Sequence, residues 1–250
     1  MLHSAHRLLR LPRTSGDEDT LDGNFWLIQG SMNKRMHILG FHKRQLYESA
    51  MSAGMKDERF RWPGYPGRAV IPFVLDRSVY GIRNVIYEGM QHYHRYTCIR
   101  FKERTNERDF IRIFYGDGCW SIIGRNGGQQ NLSLGNGCAW VGLVIHELGH
   151  AIGLFHEHQR SDRDNYITVY RNNVIPDQMH NFVLTDPNRE VIFAPYEYAS
   201  IMHYGNYAFS RQPNRLPTMV AKTGVRLYEP YEKPGFTQTD LYRIKQLYKC

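Results

Sequence analysis

The 250-residue chain is long enough for one large domain or two modest ones, and 42% hydrophobic with 13% aromatic residues is enough to build a buried core. Its formal charge of +8 comes from lysines and arginines scattered along the sequence, with no block of like charge; this argues against a nucleic-acid partner and fits solvated surface with some substrate steering. No apolar run reaches the roughly 18 residues that a membrane span requires.

Residues 1–52 mix charge with isolated apolar positions, as in Gly16-Asp17-Glu18-Asp19 and Asn33-Lys34-Arg35, and read as an appendage without a core of its own. The stretch after Met1 is broken by His3, His6, Arg7 and Arg10, so no conventional signal peptide is visible: either the start is trimmed or secretion is unconventional. From Arg61-Trp62 the texture changes. A Pro/Gly turn at 63–67 leads into a predicted strand at 69–75, where Pro72 suggests an edge or a bulge. Val79, Ile82, Val85, Ile86, Met90 and Tyr93 recur at helical spacing and predict an amphipathic helix ending near Cys98. Short β-rich runs at 99–101, 110–114 and 121–123, separated by glycine-rich turns, predict a small twisted sheet. A largely apolar helix is predicted over 141–155. Beyond it the chain is loop-rich until Thr239-Asp240, which can cap a closing helix carrying Leu241, Ile244, Leu247 and Tyr248.

Cys98, Cys119, Cys138 and Cys250 contain no C-x-x-C pair, which argues against a thiolate zinc site or a thioredoxin-like motif. Two disulfides and an oxidising compartment are the better reading, with intracellular free thiols as the alternative; spacing does not choose among the three possible pairings. The sequon Asn131-Leu132-Ser133 is consistent with secretion.

The chemistry concentrates in His146-Glu147-Leu148-Gly149-His150-Ala151-Ile152-Gly153-Leu154-Phe155-His156. Side chains four apart on a helix lie one turn above each other, so His146 and His150 can present two imidazoles to one metal ion. Glu147 falls beside them, placed to act as a general base on water without being a ligand. A glycine inside a helix costs about 1 kcal/mol relative to alanine, so Gly149 and Gly153 need a reason; close approach and a positive φ that swings His156 back as third ligand supply it. Three imidazoles leave coordination positions open, so the site is catalytic in type rather than structural.

This eleven-residue run is that of the metzincin proteases, and the following Glu157-His158-Gln159-Arg160-Ser161-Asp162-Arg163-Asp164 resembles the astacin family in particular. Ser200-Ile201-Met202-His203-Tyr204 resembles the family's Met-turn, and the likeness extends from about Ala53 to Cys250. The resemblance implies an α+β zincin fold, with a twisted mixed sheet and two long helices in an N-terminal lobe and a loop-rich C-terminal lobe with a closing helix. It implies one catalytic zinc ion held by His146, His150 and His156, with Tyr204 as a displaceable fourth ligand that also stabilises the oxyanion. It pairs Cys98 with Cys250 and Cys119 with Cys138, and sets Met202 beneath the metal. His158 and His203 stand outside the ligand positions and read as supporting residues.

By the same resemblance the chain is a secreted, extracellular and monomeric endopeptidase acting on protein substrates, without a nucleic-acid partner or membrane span. The competing class is a catalytically silent binding domain. Residues 1–52 resemble a pro-segment before a catalytic domain at 53–250, and Glu157 would engage the amino terminus created by its removal. The nearest match to the family's inhibitory F-x-G-D motif, Ile28-Gln29-Gly30-Ser31, lacks both the aromatic residue and the aspartate. Gly224-Val225-Arg226 resembles a segment that in some relatives favours acidic residues just after the cut, which makes Arg226 a candidate pocket residue.

Overall fold

The computed structural model describes residues 27–30 and 54–250. Its six-stranded mixed sheet has the order β1-β6-β7-β5-β3-β4, formed by Leu27–Gly30 (β1), Ala69–Leu75 (β3), Ile99–Glu103 (β4), Phe110–Phe114 (β5), Cys119–Ile122 (β6) and Gln129–Leu134 (β7). The β4-β3-β5-β7 run is parallel, whereas β6 and β1 are antiparallel to their neighbours. The period-2 pattern puts Ile71 and Phe73, Ile99 and Phe101, Ile111 and Ile113, and Leu132 and Leu134 into one core with two helices, α1 (Arg83–Tyr96) and α2 (Val141–Ala151). The helices cross closely at Gly89, where a Cβ would stand 2.4 Å from Val144 Cγ1.

Several boundaries differ from the sequence reading for local reasons. Pro72 lies in an interior strand; β3 pairs with β4 over 69–73 but with β5 only from Phe73 onward, so the proline precedes the second ladder. The helix expected from Val79 begins as a 3-10 turn, Arg77–Ile82, capped by Asp76, whose side chain accepts the Ser78 N–H. Strand β7 went unread because it starts Gln129-Gln130-Asn131; buried Gln130 satisfies its amide on Gly124 O and the Asn126 N–H. Asn131 of the sequon sits half-exposed within this interior strand. Helix α2 stops at Ala151 instead of 155, because Gly153 takes φ 103°. The closing helix α3 (Gln238–Tyr248) is capped by Thr237 rather than Thr239, in a reciprocal box with Asp240.

After α2 the chain builds a loop-rich lobe around a second core, including Ile167, Phe182, Tyr196, Tyr204, Met219 and Leu227. Its only ladders among the described residues are short: β8 (Ile167–Val169) with β10 (Met219–Ala221), and β2 (Gly54–Met55) with β9 (Glu190–Val191). Cys98 is bonded to Cys250, tying the end of α3 to the start of β4, and Cys119 is bonded to Cys138, tying β6 to the segment before α2. Among the described residues no helix is long and apolar enough to cross a membrane.

Candidate metal centre

Helix α2 carries His146 and His150 on one face, and the reversal at Gly153 brings His156 back against them. Leu154 N–H donates to Gly149 O and Gly153 N–H to His150 O, which closes the helix end. The three Nε2 atoms lie 3.1 Å from one another, and all three residues are fully buried.

Each ring is oriented through its other nitrogen. His146 Nδ1–H donates to Ile201 O at 2.8 Å, His150 Nδ1–H to Leu154 O at 2.8 Å, and His156 Nδ1–H to Gln159 Oε1 at 2.9 Å. With every Nδ1 spent as a donor, every Nε2 presents a lone pair, and three lone pairs facing one another repel unless a cation stands among them. Burial, reinforced by neighbouring imidazoles, lowers His146 and His156 well below the usual histidine range, and burial lowers His150 to about 4. All three are therefore neutral at pH 7, the form that binds a metal. A triangle of 3.1 Å sides puts each nitrogen about 1.8 Å from the centre, close enough for all three to reach one ion at metal–nitrogen distances of about 2.0–2.1 Å. The donor set fits zinc, and it is the only three-residue group of this kind among the described residues.

Glu147 is fully buried and, among the described residues, neither carboxylate oxygen has a hydrogen-bond partner. Burial alone pushes its pKa well above the ordinary carboxylate value. A buried carboxyl without a partner is costly for stability, and a carboxyl perturbed in this way beside a candidate metal site is a candidate functional group.

Tyr204 is buried, its ring 4.3 Å from that of His156 and stacked at 5.5 Å on His146. Burial first, then the charges of Glu147 and Glu229, raise its phenol well above 10. Met202 packs on α2, where a Cβ at Gly149 would stand 2.7 Å from its sulfur. His158 stacks on Tyr204 at 4.8 Å and donates Nε2–H to Asn181 O, while His203 takes the Tyr196 hydroxyl on Nε2 and donates Nδ1–H to Tyr204 O.

Glu157 is 1% exposed and its Oε1 accepts Arg243 Nη2–H at 2.6 Å, Arg160 Nη1–H at 2.9 Å and the Glu197 N–H at 2.9 Å. Arg226 stands apart from this cluster: its side chain is 66% exposed, bonded to Glu232 at 2.8 Å and laid over the Tyr228 ring. The sequence reading did not assign Gln159, whose carbonyl orients His156 and whose amide reaches Asn181 O; its signal was a polar residue three positions past a ligand. The carbonyls of Leu154 and Ile201 carried no signal, since any residue supplies one.

The profile of the Astacin peptidase family matches residues 55–249. The chain is 41% identical over 196 residues to "Astacin-like metalloprotease toxin 2" of Loxosceles intermedia, covering 77% of this chain and 75% of that one. It is 42% identical over 187 residues to "High choriolytic enzyme 1" of Oryzias latipes, covering 74% of this chain and 67% of that one. The solved structure of that hatching enzyme superposes with a TM-score of 0.73 at 38% identity, over 79% of this chain and 99% of its own. With the histidine trio and its buried carboxyl in place, the chain belongs to the astacin family and is a zinc-dependent endopeptidase.

Proposed function

We propose that the enzyme hydrolyses peptide bonds of extracellular protein substrates with one zinc ion on His146, His150 and His156, Glu147 as general base and Tyr204 as oxyanion donor. The single observation that carries this assignment is the Glu147 carboxylate, buried beside the imidazoles with neither oxygen partnered among the described residues. Bound to the trio, zinc supplies Lewis acidity, lowering the pKa of water and polarising the scissile carbonyl.

Glu147 accepts the proton of the attacking water as the C–O bond forms, and its raised pKa suits it to hold that proton. It then delivers the proton to the amide nitrogen as the C–N bond breaks, leaving a carboxyl and an amine. Tyr204, kept neutral by its raised pKa, donates its phenolic hydrogen to the developing oxyanion. Between turnovers Tyr204 would serve as a displaceable fourth ligand, a role supported by its ring lying against His146 and His156.

Glu147→Gln should retain stoichiometric zinc while hydrolysis of a denatured protein substrate falls by about 10²–10⁴-fold. Undiminished turnover refutes the role of Glu147. In the parent enzyme, chelation should abolish cleavage and added zinc restore it.

Residues 1–52 are assigned as a pro-segment. Support comes from β1, which places the Ile28-Gln29-Gly30 stretch in register on the outer edge of β6, Ile28 opposite Ser121 and Gly30 opposite Cys119. Latency then rests on edge pairing instead of the usual aspartate. A chain starting at Ala53 should cleave faster than the full chain, and equal rates exclude latency.

A further inference from the structure

The turn 200–203 packs against α2, and its backbone is gripped from two sides by charged residues of later segments. Asp240, 1% exposed near the start of α3, accepts the Ser200 Oγ–H at 2.5 Å through Oδ1 and the Ile201 N–H at 2.9 Å through Oδ2. Lys233, 9% exposed, donates Nζ–H to Ser200 O at 2.7 Å and to His203 O at 2.5 Å. Ser200 Oγ accepts the Met202 N–H at 3.1 Å, so the hydroxyl held by Asp240 also braces the turn internally. The carboxylate thus meets the amide side of the turn and the ammonium meets its carbonyl side.

Ile201 connects this arrangement to the metal centre. Its N–H is fixed by Asp240, and its carbonyl is the one that accepts His146 Nδ1–H at 2.8 Å. One residue further, Met202 O accepts the Glu157 N–H, adjacent to the third ligand His156.

We propose that Lys233 and Asp240 are positioning residues for the zinc centre, a charged clamp on turn 200–203 that fixes the Ile201 carbonyl and through it the tautomer and tilt of His146. The inference rests on reading the histidine trio as a zinc site. Burying an ammonium and a carboxylate has a solvation cost, and the turn alone could be closed by neutral groups. What charge adds is stiffness, because hydrogen bonds to ionised groups are shorter and roughly twice as strong as neutral ones. The start of α3 further favours the carboxylate: Asp240 Oδ2 also accepts the Thr237 N–H, and the helix N-terminus stabilises negative charge. A clamp of this kind acts on metal affinity, since losing the group that orients a ligating imidazole weakens binding by about 10–100-fold.

The test is the zinc affinity of the full chain, measured by competition with a chromogenic chelator, for the parent and for Lys233→Met, Lys233→Arg, Asp240→Asn and Ile71→Ala. Lys233→Met and Asp240→Asn should weaken zinc binding by about 10–100-fold. Lys233→Arg, which keeps charged donors for both carbonyls, should restore most of it. Ile71→Ala truncates the core on β3 without removing any hydrogen bond that holds the turn, and should lower the melting temperature while leaving zinc affinity unchanged. Should Lys233→Met not fold, Asp240→Asn and Lys233→Arg decide the matter. Parent protein that takes up no zinc sinks the reading of the trio itself. Parent protein that binds zinc, with Asp240→Asn and Lys233→Met indistinguishable from it or no weaker than Ile71→Ala, overturns the clamp alone.

Discussion

Replacing Arg243 by alanine withdraws one of the two guanidinium groups that surround the Glu157 carboxylate. Both members are enclosed, Glu157 at 1% and Arg243 at 4% exposure, and the contact is 2.6 Å. Removing one partner of a buried ion pair costs about 3–5 kcal/mol, because the other charge remains in a poorly solvated place. Here Arg160 at 2.9 Å and the Glu197 N–H at 2.9 Å stay behind, which puts the expected loss at the lower end, about 3 kcal/mol. Each kcal/mol shifts the midpoint by about 2–4 °C in a domain of 150–250 residues, so Arg243→Ala should melt about 6–12 °C below the parent. Calorimetry of the full chain with saturating zinc measures this. A midpoint that does not move would mean that the pair merely recovers its own desolvation, and the stabilising role given to it would be wrong.

Gly153→Ala tests backbone strain without a clash, because no neighbouring atom lies closer than 3.7 Å to the added Cβ while φ is 103°; urea unfolding should show a loss of about 1–3 kcal/mol, and an unchanged midpoint would dismiss the strain. Gly89→Ala should cost about 1–3 kcal/mol by pressing into Val144, and the double variant with Val144→Ala should be more stable than the sum of the single losses; strict additivity would show that the two sites do not touch. Burial lowers Lys233 to about 8 even though Asp240, Glu229, Glu232 and Glu157 pull it upward. Below that pH both folded and unfolded chains carry the charge, and the burial cost is present in full. Between about 8 and the unfolded value near 10.4, only the unfolded chain keeps the proton, so the parent should gain roughly 3 kcal/mol on Lys233→Met as pH rises. A stability difference flat from neutral pH to about pH 10.5 would contradict that titration.

Spacing alone made the placement of His146, Glu147 and His150 on one helix legible, because they are related by helix geometry, and Gly153 marks where the chain turns back. The amphipathic period of α1 and the apolar runs of β3, β4 and β5 were legible for the same reason: each needs only its own repeat to be recognised. Strand β7 was not, since its polar start is tolerated only because Gln130 finds partners on a neighbouring turn. Tertiary structure alone decided what orients the ligands and what holds those orienting groups. The acceptors for His146 and His150 are main-chain carbonyls, identical in every residue, and the grip on one of them comes from Lys233 and Asp240, which adjoin the turn only once the loop-rich lobe has folded back on α2. Local periodicity records contacts within an element, whereas a carbonyl's partner is set by the path of the whole chain.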